Sequence, residues 1–371
     1  MRLKQIEWIG YRVPFKNRFV AADVNAGYRH GLLLRLTTDG GIVGFGEASP
    51  VGAGDLRTVT ALAEEIRSLA PRILDAGIID ETATHAALSA LARASAPLKF
   101  GIETARYDLL GRAKGCPVAT LLGGKPRPVA VNALLFSTSV EATAREARAA
   151  VDAGFGTLKL KVGISSIQSD VERVAAVRRE VGPEVSIRVD ANEAWSVTQA
   201  VEAITRLAGF NIEYVEQPVP AKDLKGLAAV RKAVSTPIAA DEAIANIEDV
   251  RRVVEMEAAD FLIIKAARTG LLEAAAMLKL AAEAGKPAVI TSSLESDIGI
   301  AAALHLAASL GPAGLACGLA TGLLLESTLA STPLVPRGGA LECPHQPGLG
   351  IVPDETAVKK YAAGIEGSIT L

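Results

Sequence analysis

TLKLK at 157–161, SIRVD at 186–190, IEYVE at 212–216, PIAAD at 237–241 and FLIIK at 261–265 are five short apolar runs, each closed by a charge. The closing residues are Lys161, Asp190, Glu216, Asp241 and Lys265, spaced by 29, 26, 25 and 24 residues. That spacing is the length of one strand-plus-helix unit. On a parallel barrel, consecutive strands that end in charge place those charges around one mouth, the C-terminal face where such barrels carry their active sites.

Outward from these runs, the alternation of strand and helix continues. Candidate strands lie at 128–134, 157–161, 185–190, 212–216, 237–241, 260–265, 287–291 and 314–318. Helical patterns separate them at 140–153, 166–180, 196–207, 222–233, 246–255, 271–284 and 297–310. Eight strands and seven helices predict an α/β fold, a (β/α)7β TIM-like barrel over 126–335. An open doubly wound sheet is the alternative, but no GxGxxG opens a helix after a strand. Residues 1–125 read as an α+β unit. LKQIEWIGYRV is a strand followed by a polar stretch, and HGLLLRLTT and GIVGFGEAS flank a turn at Asp39-Gly40-Gly41. Two helices follow, RTVTALAEEIRSLAPRIL and residues 97–114, the second stopped by Gly115 and Pro117. The last ~35 residues, Gly- and Pro-rich around CPHQPGLGIVP, read as irregular and are expected to pack on this first unit, which 336–371 would complete.

Composition narrows the function classes. The 371 residues are 50% apolar and 22% charged, so a large core can be buried. The formal net charge of −2 comes without blocks of one sign, which argues against nucleic-acid or membrane-surface binding. No apolar run reaches the ~18–20 residues of a membrane span. The N-terminus lacks the apolar stretch of a signal peptide. Cys116, Cys317 and Cys343 are odd in number and lack CxxC spacing, against a disulfide framework or a zinc site. A cytoplasmic protein is the expectation.

The charges at the mouth suggest chemistry. Three carboxylates facing one another repel, and unless paired one of them takes up a proton. A divalent cation removes the conflict. All-oxygen donors suit Mg²⁺, with Mn²⁺ as a substitute, and the absence of His or Cys at the three ends disfavours zinc. The lysines stand on strands two and six, on opposite sides of such a cation. A metal holding a substrate carboxylate between two lysines is a device for removing the α-proton, with the cation stabilising the enediolate. The competing reading is a set of structural ion pairs, which five residues in register disfavour. Lys159 shares the parity of Lys161 and either supports it or contacts substrate. Asn192 is a loop hydrogen-bonder or a support to the metal site. Glu242 is such a support or pairs with a basic neighbour. Ser293 and Glu295, in TSSLES at the end of strand seven, are further supporting candidates. His305 reads as a packed helix residue, and His30, His85 and His345 occupy no strand end.

With KLK at 159–161, VDAN at 189–192, VEQP at 215–218, AADEA at 239–243 and IIKAARTG at 263–270, the chain resembles the enolase superfamily, in its muconate-lactonising-enzyme subgroup. FGIETARYDLLGRAKGCPVATLLGG at 100–124 is similar to the segment that leads from the family's capping domain into its barrel. The resemblance implies that Asp190, Glu216 and Asp241 hold Mg²⁺, that Lys161 and Lys265 are the acid/base lysines, and that an N-terminal α+β capping domain closes loops at ~15–30 and ~50–55 over a small-molecule carboxylate. The mandelate-racemase subgroup, with a catalytic His on strand seven, does not fit TSSLES. Dipeptide epimerases of the subgroup usually carry Asp-x-Asp after strand eight, where LACGLATGLLLEST stands here. RTGLLE after Lys265 lacks the second glycine often seen there. ACGLATGLLL is similar to some o-succinylbenzoate synthases, which implies a dehydratase of menaquinone biosynthesis. The alternatives are an N-acylamino-acid racemase or dipeptide epimerase, and a muconate-type cycloisomerase. Assembly into a homo-oligomer is left open.

Overall fold

The computed structural model describes residues 1–21, 24–76, 93–311 and 314–371. The first unit is a four-stranded antiparallel sheet of β1 (Leu3–Ala21), β2 (Val24–Thr38), β3 (Val43–Ala48) and the C-terminal β13 (Ala362–Thr370), in the order β13-β1-β2-β3. Its helices are α1 (Leu56–Ala76) and α2 (Ala96–Lys114), followed by the short α3 (Val118–Leu121). Gly115 takes a left-handed conformation, φ 67°, and caps α2, as its position before Pro117 predicts. Gly44 and Gly46 of β3 let α2 lie directly on the sheet: a Cβ at either would come within 2.2 Å of a helix carbonyl.

In β1 the buried face switches. Ile6 and Trp8 point into one core with α1 and α2, whereas Tyr11, Val13 and Phe15 join the larger core shared with the barrel. The pairing of β1 with β13 shifts register between Ile9 and Tyr11, but its pairing with β2 runs unbroken from Gln5 to Pro14, so Ile6 and Trp8 stand on one face of the sheet and Tyr11, Val13 and Phe15, of the other parity, on the opposite face. One strand thereby serves two cores.

Two expectations need correction here. The polar stretch after residue 14 is not a loop: β1 and β2 continue as an extended hairpin through Phe19↔Ala26 and Ala21↔Val24, with an irregularity between Pro14 and Phe19. The end of the chain is not irregular either, because residues 362–370 form β13. Gly364 and Gly367 dilute its apolar pattern, and Gly367 leaves room for the Trp8 ring. As an edge strand, β13 alternates only between half-buried and exposed positions.

The barrel runs β4 (Val129–Ala130), β5 (Ala133–Leu135), α4 (Val140–Asp152), β6 (Thr157–Lys161), α5 (Ile167–Val181), β7 (Ser186–Asp190), α6 (Val197–Leu207) and β8 (Ile212–Glu216). It continues with α7 (Leu224–Ala233), β9 (Ile238–Ala240), α8 (Ile247–Glu255), β10 (Phe261–Ile264), the one-turn α9 (Ala266–Thr269), α10 (Leu271–Glu283), β11 (Ala288–Ile290) and α11 (Asp297–Leu310). Beyond lie β12 (Ala340–Leu341) and α12 (Glu355–Lys360). Strands β5 to β11 form one parallel sheet in sequence order. Ser139, Ser166, Ser196, Asp223, Asn246 and Ser296 accept the first free N–H groups of α4, α5, α6, α7, α8 and α11. Each such cap stabilises its helix by about 1 kcal/mol.

The expected strands at 128–134 and 314–318 differ from observation. The first breaks in two, and its β4 half pairs with β12 instead. The second is reduced to bridges, yet it closes the ring. Cys317 N donates to Ala130 O and Asn132 N to Cys317 O on one side; Gly318 N donates to Ile290 O and Ser292 N to Gly318 O on the other. Glycines at both ends of 314–318 explain why only a bridge forms.

Inside the barrel, side chains of one parity stack in layers. Tyr214, Ala239, Ile263 and Val289 make a buried interior cluster. Two residues further along the first three of these strands come Glu216, Asp241 and Lys265.

Candidate active site at the barrel mouth

A cavity of about 490 Å³ opens at the C-terminal ends of the strands. Lys159, Lys161, Asp190, Asn192, Glu242, Lys265 and Ser293 line it together with Arg268. Glu216 and Asp241 lie fully buried beneath its surface. Val51 and Gly52 of the first unit reach its wall. Glu295 does not line the cavity. It is buried against Glu47 of β3, with Ser293 N donating to it at 2.7 Å.

The charges interlock. Lys159 Nζ stands 2.6 Å from Glu216 Oε1 and 2.9 Å from Asp190 Oδ2. Lys161 Nζ stands 2.6 Å from Asp190 Oδ2 and 2.5 Å from Asn192 Oδ1. Asn192 Nδ2 donates to Glu242 Oε1 at 2.9 Å. Lys265 pairs with Asp241 Oδ2, and Arg268 Nη1 donates to both the carbonyl and Oδ1 of Asp241 at 3.0 Å. Three strands, β7 to β9, separate the lysine of β6 from the lysine just past the end of β10.

Burial alone would raise all three strand-end carboxyls, and their neighbours decide the outcome. Lys159 and Lys161 hold Asp190 well below the ordinary carboxylate range, and Lys265 and Arg268 do so for Asp241. Glu216 goes the other way: burial and the Asp190 charge push it up against the pull of Lys159. Its Oε2 is buried without a hydrogen-bond partner. Burial works to lower the Lys159 ammonium, but Asp190 and Glu216 outweigh it and hold that group well above its usual value. Among the described residues no three His, Cys, Asp or Glu side chains converge as a ready coordination shell; the Lys159 ammonium stands between two of the carboxylates.

The backbone at the mouth is unusual. Asn192 (φ 40°), Glu193 (φ 67°), Gln217 (φ 38°) and Leu294 (φ 71°) are left-handed residues shortly after the ends of β7, β8 and β11. Such conformations persist where the surroundings over-determine them, commonly at functional sites. Gln217 is held by its own side chain, whose Oε1 accepts Asp241 N and Ala243 N and so shapes the turn that presents Asp241 and Glu242.

Two features escaped the sequence reading. Arg268 lies one helical turn after Lys265, and that i, i+3 spacing places it on the same side. Glu47 accepts Tyr11 OH at 2.5 Å, Ser296 N at 3.0 Å and Gly299 N at 3.0 Å. It thus ties the first unit to the N-terminus of α11, over a sequence separation no local pattern reveals. His305 is packed as expected: its Nδ1 accepts Ala119 N, its Nε2 faces Leu349 O, and burial lowers it to about 4. His85 lies outside the described residues.

Residues 142–357 match the family "Enolase C-terminal domain-like", and residues 19–123 match the mandelate racemase/muconate lactonizing enzyme N-terminal domain. The chain belongs to the enolase superfamily. Within the superfamily it is 32% identical to the L-Ala-D/L-Glu epimerase of Bacillus subtilis, over 95% of this chain and 97% of that one. It is 33% identical to the chloromuconate cycloisomerase of Cupriavidus pinatubonensis, over 94% and 96%. It is 43% identical to the o-succinylbenzoate synthase of Thermobifida fusca, over 59% and 68%. Among solved structures, the dipeptide epimerase of Enterococcus faecalis complexed with Mg and L-Leu-L-Tyr superposes with a TM-score of 0.88 at 30% identity, over 95% of this chain and 99% of that one. The muconate lactonizing enzyme of Pseudomonas fluorescens complexed with muconolactone gives 0.90 at 28%, over 97% and 99%. This superfamily member is therefore an enzyme with a capped TIM-like barrel. Among its described residues no helix is long and apolar enough to cross a membrane.

Proposed function

We propose that this enzyme is an o-succinylbenzoate synthase, a dehydratase that removes the α-proton of a carboxylate substrate and then expels a β-hydroxyl as water. The observation that carries the reading is the wall opposite the charges. From Gly318 to Leu324 it contributes Gly318, Ala320, Thr321, Leu323 and Leu324 to the cavity and no carboxylate that would hold an ammonium group. An anionic, otherwise apolar acid fits such a wall; the zwitterionic end of a dipeptide does not. The 43% identity to an o-succinylbenzoate synthase points the same way.

Asp190, Glu216 and Asp241 would hold the Mg²⁺ of this family. The fit rests on their chemistry: three buried carboxyls, of which Glu216 has an orphaned Oε2 and is driven up by burial and by the Asp190 charge. A bound divalent cation supplies charge that holds the substrate carboxylate and offsets the enediolate's second negative oxygen. Lys161 takes the α-proton as general base and is steadied by Asn192 and Asp190. The Lys161 ammonium then gives its proton to the departing hydroxyl on the same face, which leaves as water. Lys265 stays cationic on the other face, against the electron-rich ring.

The test is loss of the diene absorbance of the hydroxycyclohexadiene precursor with purified protein and Mg²⁺. Rapid loss that requires Lys161 supports the reading; an intact, metal-loaded protein that leaves the band unchanged sinks it. A second reading, a racemase or epimerase of N-acylamino acids or dipeptides, is favoured by two lysines on opposite sides of one cavity and by full-length similarity to epimerases. Exchange of the α-hydrogen with deuterated solvent, with loss of optical activity and no dehydration, would single it out.

A further inference from the structure

We infer that Arg29 is a positioning residue: its guanidinium holds the loop at 49–52 in the shape that sets Val51 and Gly52 against the bound substrate. The inference rests on the reading of the mouth as a proton-abstraction site for a carboxylate. Arg29 itself does not line the cavity.

The loop is folded around the guanidinium. Arg29 Nη2 donates to Ser49 Oγ and, at 3.0 Å, to Pro50 O, and Arg29 Nη1 donates to Gly52 O. The next residue of β2 continues the grip, with His30 N donating to Ala53 O at 2.9 Å. Gly52 is left-handed, φ 71°, which lets the chain reverse within so short a loop.

The inside and the outside of the loop differ. Arg29 and Ser49 are fully buried, whereas Val51, the residue between the two clamped carbonyls, is 58% exposed. Among the described residues, Val51 and Gly52 are the part of the first unit that reaches the cavity wall. An exposed Val51 gains little from packing, so the place of the loop depends on its polar anchors.

The anchor suits arginine. One planar group serves all three acceptors, whereas a lysine ammonium is a point charge without the fork. A buried cation also needs compensating charge. The Glu295 carboxyl, beside Glu47, feels the pull of Arg29, so the cation belongs to the buried cluster that joins the first unit to α11.

The experiment compares R29M, R29K and S49A with wild-type, Mg²⁺-loaded protein in two measurements. One is steady-state kinetics on whichever acid the wild type turns over, the hydroxycyclohexadiene acid or an N-succinylamino acid. The other is hydrogen exchange at His30 N–H, whose acceptor, Ala53 O, departs with the loop. R29M should raise KM about tenfold with kcat within about threefold, because the loop acts in binding and not in the chemical step. Exchange at His30 should quicken about tenfold or more in the same variant. R29K should fall between wild type and R29M in both measurements. S49A removes one acceptor and should shift both in the same direction by less, so R29K and S49A decide the matter even where R29M does not fold. A lowered Tm with KM and His30 exchange unchanged would make Arg29 a structural anchor only and overturn the inference, as would a fall in kcat at constant KM. A wild type that turns over neither acid overturns the proton-abstraction reading and, with it, the role of the loop toward substrate, whereas unchanged His30 exchange overturns the clamp itself.

Discussion

The ammonium of Lys161 sits 2.5 Å from Oδ1 of Asn192, whose amide nitrogen is committed to Glu242 at 2.9 Å. The carboxylate of Glu242 accepts only from the NH₂ end of Asn192, so the oxygen must face Lys161. A left-handed backbone at Asn192 and its N–H on Asp190 Oδ1 complete the fixation. Glu242 thereby acts on Lys161 at one remove. Asn192→Ala should leave Lys161 able to rotate and lower kcat about tenfold, with KM little changed. A steady-state comparison with wild type checks this, and an equal change in KM would mean that Asn192 binds substrate instead.

Lys161→Ala removes the proposed base itself. General-base catalysis contributes about 10²–10⁴-fold, so turnover should fall by at least that range while Mg²⁺ binding persists. Turnover within a few-fold of wild type would refute the assignment.

Asp190, Glu216 and Asp241 are buried together, and removal of any one should weaken Mg²⁺ binding in calorimetric titration. Arg268 contacts Asp241 twice without being a metal-ligand candidate. Partners that orient ligands typically matter about 10–100-fold, so Arg268→Gln should weaken Mg²⁺ binding or activity by that order. Unaltered affinity and activity in this variant would reduce Arg268 to a structural pair.

The parity of strands made the mouth legible: Lys159 with Lys161, Arg188 with Asp190 and Tyr214 with Glu216 each share a face, and a period of two needs no tertiary knowledge. The eighth strand was legible in place but not in form, since glycines flank it. The strand at 362–370 was hidden by Gly364 and Gly367, which carry no side chain to show alternation. Contacts between the two units were illegible in principle. Tyr11, Glu47 and Ser296 meet because the odd-numbered face of β1 turns from Tyr11 onward to the barrel, and nothing local in the sequence marks which face of the strand each unit covers. Arg268 is legible by its i, i+3 spacing from Lys265.

Glu295 yields the pH prediction. Burial first, and then the neighbouring Glu47 carboxylate, push its carboxyl up to about 7, against the pull of Arg29. In the unfolded chain it would titrate near the ordinary 4.5. Between about pH 4.5 and 7 the folded state thus holds a proton that the unfolded state has released, and stability falls as pH rises through that window. Above about 7 both states are ionised and the loss is complete, of the order of 3 kcal/mol. Glu295→Gln keeps an oxygen for Ser293 N and removes the titration. Its Tm relative to wild type should climb by several degrees between pH 5 and 8 and level off above. Thermal unfolding of both proteins across that range decides the matter: a Tm difference independent of pH would show that Glu295 stays ionised, its charge neutralised by Arg29.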